Sequence, residues 1–123
     1  VSGVDLVQWL GDRLAEDEEL ARAAAEEYGA AWTADEAMEG VSSDKGADVV
    51  AEPNSPFAFI AAHDPARVLR EIEAKRDLLR LAERAHDYHE TFMNGFASAL
   101  EGTLRLFALA YADRPGYRQE WAP

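Results

Sequence analysis

The side chains best suited to chemistry fall in one run, Glu83-x-x-His86-x-x-His89-Glu90. On a helix, steps of three and four residues bring Glu83, His86 and either His89 or Glu90 to neighbouring positions on one face. Imidazole nitrogens and carboxylate oxygens are donors that zinc and iron accept. A Glu-x-x-His pair is also part of the di-iron bundle pattern, which needs a second such pair and two further carboxylates. This chain has one pair, to which Glu16 or Glu19 of a first helix can lend a carboxylate. Metal sites normally converge three or four ligands. The spacing therefore fits better a His86 that sits in a helix seam and hydrogen-bonds a carboxylate. No metal or other cofactor is expected, and Glu83, His86, His89 and Glu90 are the candidates if one binds.

His63 stands before Asp64-Pro65, at a junction between elements. A histidine base needs a nucleophile or an orienting partner within reach, and the sequence implies neither, so a junction hydrogen bond is expected. There is no Gly-rich phosphate loop, no nucleophile elbow, and no carboxylate pair distinguishable from the general acid content. The absence of cysteine removes disulfides, thiolate zinc sites and thiol nucleophiles. No catalytic residue is expected, and the chain reads as a non-enzyme.

Charge is the next signal. The 123 residues include 24 acidic and 12 basic side chains, a net charge of −12. Such a field opposes direct contact with a phosphate backbone, so no nucleic-acid partner is expected. The charge is also segregated. Residues 1–62 hold 14 acids and 3 bases, net −11, whereas residues 63–123 hold 10 acids and 9 bases, net −1. The simpler reading is a solvated acidic face that keeps a small domain soluble. The sharper reading is a surface that imitates nucleic-acid phosphates and occupies a partner's basic groove. For either kind of contact the candidate residues are Glu16, Asp17, Glu18, Glu19, Glu26 and Glu27.

Elements must position these groups. The length suits one domain spanning 1–123. Leu6, Trp9, Leu10, Leu14, Leu20, Ala21, Ala24 and Tyr28 recur at steps of three and four, predicting a helix over 5–28 with Gly29 as its left-handed stop. Asp5 is placed to cap its open amides. Between 30 and 52 the helical period is lost. Trp32, Thr33, Val41, Val49 and Val50, separated by Gly and Ser, predict a β-hairpin or three-stranded meander lying on a helix through Trp32 and Val49. Ser55-Pro56 reads as an N-cap and first helical residue of a short helix over 56–62, and Asp64-Pro65 opens a longer one over 65–93.

That long helix holds six bases and four acids between 65 and 85, making it the cationic helix of the chain and a plausible neighbour for the acidic first one. A seven-residue ladder of Ile72, Leu79, His86, Met93, Leu100 and Phe107, widened by Phe96 and Leu104, runs through it. Such a repeat lines one seam against a partner helix. Ordinary core packing is the simpler use of it. The alternative is a homodimer joined at Ile72, Leu79, Met93 and Leu100. Asn94-Gly95 predicts a break near 94–97, followed by a helix over 97–111. Pro115-Gly116 predicts a turn that folds an aromatic tail over 112–123 back, with Tyr111, Tyr117 and Trp121 pinning it. The expected class is α+β, mainly α: several helices packed around a long charged helix, with a small β-hairpin. The longest apolar run, near 57–62, is far short of the ~20 residues needed to span a bilayer. No basic-then-hydrophobic leader opens the sequence. A cytoplasmic protein away from membranes is the expectation.

Two stretches carry a family resemblance. His63-Asp-Pro-Ala-Arg-Val-Leu-Arg-Glu-Ile-Glu-Ala-Lys-Arg76 and Leu104–Trp121 resemble an uncharacterised family of small acidic proteins from actinobacteria and actinophages. The opening Asp5-Leu-Val-Gln-Trp-Leu10, Trp32 and Val49-Val-Ala-Glu52 fit the same layout. The resemblance implies origin and no substrate or catalytic residue. It also implies a cysteine metal staple in some members, in the connector before the terminal motif; this chain has His86–Gly102 there and no cysteine. The expected role is a protein-interaction or regulatory accessory acting on an unidentified protein partner.

Overall fold

The computed structural model describes residues 2–46, 48–50, 52, 54–87 and 91–123. The elements run in the order helix α1 (Ser2–Tyr28), strands β1 (Trp32–Asp35), β2 (Gly40–Ser43) and β3 (Asp48–Val50), then helices α2 (Phe57–Ala62), α3 (Pro65–Asp87) and α4 (Thr91–Ala108). Two 3-10 turns, Leu109–Tyr111 and Gln119–Trp121, end the chain. The fold is α+β and mainly α, as the periodicities predict. Two compact units share these elements, one of residues 16–73 and one of residues 1–15 with 74–123.

The 16–73 unit is organised by main-chain polar contacts. Helix α1 ends where Gly29 turns left-handed at φ 102° and donates its N–H to the Ala25 carbonyl at 2.8 Å. A Cβ there would lie 2.5 Å from Asp44 Oδ1, so glycine is required by backbone and by space alike. The three strands form an antiparallel meander in the order β1-β2-β3. Thr33 pairs with Ser42 and Ala34 with Val41. The β2–β3 ladder pairs Val41 with Val50 and Ser42 with Asp48, leaving Val49 as the extra residue of a bulge. Helix α2 lies against β1 and β2. Among the described strand side chains Val41 is buried, 1% exposed, while Trp32 and Val49 are half-buried. The central strand, paired on both sides, points Val41 into the core beside these expected anchors.

Asp64 ties this unit together. Its Oδ1 accepts the Arg67 N–H at 2.9 Å, capping α3, and its Oδ2 accepts the Trp32 N–H at 3.0 Å. One carboxylate therefore fixes both the start of a helix and the start of a strand. Ser55 does not act as the expected cap. Its hydroxyl donates to the Glu52 carbonyl at 2.8 Å, and α2 begins only at Phe57, after Pro56.

The other unit is held by rings. Trp9 lies 5.3 Å from Trp121, 5.9 Å from Tyr117 and 6.4 Å from Tyr111, centroid to centroid. Trp9 Nε1 and an Arg13 guanidinium N–H both donate to the Pro115 carbonyl, each at 3.1 Å. Gly116, at φ 92°, lets the turn close over Trp9, because a Cβ there would sit 2.6 Å from its indole nitrogen. The tail folds back as expected, and Trp121 is 1% exposed. Leu6, Leu10 and Leu14 of α1, Leu79, Ala82 and Ala85 of α3, and Leu100, Leu104 and Ala108 of α4 are also buried.

Several boundaries move. Helix α1 starts at Ser2, and Asp5 in its first turn binds the Arg118 guanidinium at 3.1 Å. Leu20, placed in the apolar stripe by its spacing, is 70% exposed. Each four-residue step rotates the stripe by roughly 40°, so Leu14 and Ala21 carry the buried direction away from Leu20. Helix α3 is described as far as Asp87, the expected stretch over 88–90 lies outside the described residues, and α4 runs through Asn94-Gly95 without the expected break. An exposed glycine costs a helix only ~1 kcal/mol, which the buried Leu100, Leu104 and Ala108 outweigh. Of the ladder, Ile72, Leu79 and Leu100 are buried within the single chain, Phe107 lies under Lys75 at 5.8 Å, and the side chains of His86 and Met93 lie outside the described residues.

Candidate interaction surface

The 16–73 unit carries 15 acidic and 4 basic residues, net −11, and the other unit 9 acidic and 8 basic, net −1. The acidic stretch of α1 begins the surface. Glu16, Glu19, Glu26 and Glu27 are exposed and Asp17 and Glu18 half-buried. Glu18 accepts from Arg22 at 3.1 Å, one turn along, an exposed pair worth about 0.3–0.5 kcal/mol. Lys45 donates to the Glu26 carbonyl at 3.1 Å, so this base is tied to main chain rather than to a carboxylate. All six expected candidates thus lie on one helix of one unit.

The same unit exposes apolar side chains among its acids. Leu20 lies one turn from Glu16 and beside Glu19. Met38 is 78% exposed between Glu36 and Glu39 in the β1–β2 turn, and Phe59 of α2 is 64% exposed. The turn is fixed by Asp35, whose Oδ1 accepts the Met38 N–H at 3.1 Å, and by the Glu39 N–H to the Glu36 carbonyl at 3.2 Å. Glu39 sits at φ 51° and Asn54 at φ 65°, the left-handed region that side chains avoid. Both residues line a cleft of about 440 Å³, with Glu36 on one side and residues 55–59 on the other. Sequence reading missed this cleft. Its signal was a four-residue turn, Glu36–Glu39, with no glycine at its left-handed position.

The remaining candidates are placed differently. His63 is exposed, stacks on Phe59 at 4.3 Å and shares a 2.8 Å hydrogen bond with the Phe59 carbonyl through Nδ1. It is a junction residue, as the sequence predicts. Glu83 is exposed on α3. His89 and Glu90 lie outside the described residues, as does the side chain of His86. Among the described residues no group of three His, Cys, Asp or Glu side chains is arranged to hold a metal ion. None of the described helices is long and apolar enough to cross a membrane.

A family model covers residues 3–123 of this chain. The chain belongs to DUF6221, a family of unknown function. The DUF6221 match takes in both the acidic unit and the ring-clasped unit, including the His63–Arg76 and Leu104–Trp121 stretches. No curated protein and no solved structure matches this DUF6221 chain.

Proposed function

We propose that this protein is a non-enzymatic interaction or regulatory accessory, cytoplasmic and of actinobacterial or phage origin, that engages a basic surface of a partner protein through its acidic unit. The observation that carries the reading is the combination of net −11 on residues 16–73 with exposed Leu20, Met38 and Phe59 among those carboxylates. Acid alone is consistent with a solvated surface. Apolar side chains held in an acidic field supply what a solvated surface does not need, namely contact area that is desolvated once opposite charge has steered a partner in.

The test is affinity capture from an actinobacterial lysate at low and moderate salt, beside a Glu16→Gln, Asp17→Asn, Glu18→Gln, Glu19→Gln variant and a Met38→Ser, Phe59→Ser variant. A specific partner retained by the wild type and lost by both variants is the expected outcome. A partner insensitive to the four carboxylates would overturn the reading. The same unit supports a narrower role as a mimic of nucleic-acid phosphates. In that case the captured partner binds DNA, and DNA competes for it. A partner that holds DNA and this protein at once excludes mimicry.

A further inference from the structure

The β1–β2 turn and the approach to α2 enclose the cleft of about 440 Å³, all of it within the 16–73 unit. That volume lies in the range of small-ligand sites, roughly 300–1,000 Å³. Its lining divides by chemistry. Glu36 and Glu39 supply carboxylates, Asn54 a carboxamide, and Phe57 and Phe59 aromatic rings. None of the residues lining it is a base. Glu36 and Glu39 are both exposed, and among the described residues neither takes part in an ion pair. Phe57 is 8% exposed and forms the floor, whereas Phe59 is 64% exposed. The Phe59 ring is nonetheless held. His63 stacks on it at 4.3 Å, with 27° between the ring planes, and is itself tied to the Phe59 carbonyl through Nδ1. One ring face is thus covered, and the other is free to receive a cation on its negative π surface.

We infer that this cleft receives an arginine side chain of the partner, its guanidinium lying on Phe59 and its N–H groups reaching Glu36 and Glu39. This rests on the acidic unit being the interaction surface, and it names the chemistry that the unit selects. Charge decides the class of occupant. An anionic group is repelled by two carboxylates in a unit of net −11. A neutral group would strip water from those carboxylates and leave them without a partner, which is costly. Shape then decides between the cations. A guanidinium is planar, weakly hydrated and carries five donors in a fixed fork, so it stacks on a ring while it pairs with carboxylates. A lysine ammonium is a compact, strongly hydrated point charge that does the second but gains less from the ring. The turn that carries both glutamates is fixed by the Met38 N–H to Asp35 and the Glu39 N–H to the Glu36 carbonyl. The carboxylates therefore need little ordering when the cation arrives.

The experiment is an NMR titration of the isotope-labelled full chain with acetyl-arginine-amide, beside acetyl-lysine-amide as a probe of equal charge. Saturable amide shifts at Glu36, Glu39, Ala58 and Phe59 are expected with arginine. A ligand of about 15 non-hydrogen atoms should give a dissociation constant on the order of 1 mM. Lysine is expected to bind roughly 3-fold more weakly or worse, the difference a ring contact makes. Glu36→Gln combined with Glu39→Gln should weaken arginine roughly 10-fold. Phe59→Leu, which keeps an apolar side chain and removes the ring, should weaken it roughly 3-fold. Melting curves check that each variant is folded. Shifts confined to residues 16–27, or equal binding of the two probes, would show a response to the general field and overturn the inference. Arginine binding that survives both variants does the same. Partner capture separates this from the wider reading: a partner lost on neutralising Glu16–Glu19 but indifferent to Glu36→Gln with Glu39→Gln keeps the acidic unit as the surface and removes the cleft from it.

Discussion

The two units solve the same problem, closing a small core, with different chemistry. In the 1–15 and 74–123 unit, four rings and a turn do the work: Trp9, Tyr111, Tyr117 and Trp121 meet edge to face or tilted around a carbonyl that receives two donors. In the 16–73 unit the buried apolar side chains are smaller in area, Ala21, Val41, Phe57 and Ile72, and Asp64, Gly29 and the strand ladder fix the chain through polar contacts. Aromatic burial contributes large area per residue, whereas polar contacts net only ~0.5–1.5 kcal/mol each. The acidic unit can therefore leave Leu20, Met38 and Phe59 outside and devote its surface to charge. The ring-clasped unit buries Tyr111 and Trp121 at its clasp and exposes Phe96 and Phe107 on α4.

The comparison is broken most severely at the clasp. Trp121→Ala is expected to cost about 3–5 kcal/mol in urea unfolding, since the indole is almost wholly buried and closes the ring cluster. A loss below ~1 kcal/mol would mean that the tail is an ornament rather than a clasp. Next come the two left-handed glycines. Gly29→Ala and Gly116→Ala are each expected to cost roughly 1–3 kcal/mol, from strain plus a close contact. Gly29→Ala should cost more, because its Cβ meets Asp44 Oδ1 together with Ser43, whereas Gly116 meets one indole. Asp64→Ala removes the acceptor of two backbone amides and is expected to cost about 1–3 kcal/mol. Asp64→Asn should recover part of that, as its amide oxygen still caps α3.

A smaller effect of opposite sign sharpens the contrast. Glu39→Gly relieves a side chain from φ 51° and is expected to stabilise the fold by roughly 0.5–1 kcal/mol, read as a rise in melting temperature. The same change should weaken partner capture, since Glu39 lines the acidic cleft. Stability gained together with binding lost is the mark of a position kept for function.

The helices were legible because their signals are local. The α1 periodicity, the Gly29 stop, the Asp64-Pro65 start and the Pro115-Gly116 turn each depend on a few neighbouring residues. The tail's return was legible too, as three aromatics around a turn have few soluble alternatives. Leu20 was not, since whether a stripe residue stays buried depends on how far the stripe has rotated and on what faces it. Val41 was legible as a strand residue but its burial was not, because a strand's central position is a property of pairing, which the sequence of one strand does not contain. Asp64 read as a helix cap, but its second oxygen on Trp32 joins residues 32 apart in the chain. The cleft at Glu36 and Glu39 arises only when the β1–β2 turn and the approach to α2 are brought together. The acidic candidates on α1 were visible by composition alone, whereas the exposure of Leu20, Met38 and Phe59 in the same unit was not.

The most direct test compares the units within one assay. Four carboxylates are neutralised in each unit: Glu16, Asp17, Glu18 and Glu19 in one, and Asp77, Glu83, Asp113 and Glu120 in the other. Partner capture is then measured for both variants at two salt concentrations. Loss of the partner by the first variant alone, with the wild-type complex weakening as salt rises, is the expected result. Equal loss by both variants would reduce the effect to net charge, and retention by both would contradict an acidic interaction surface outright.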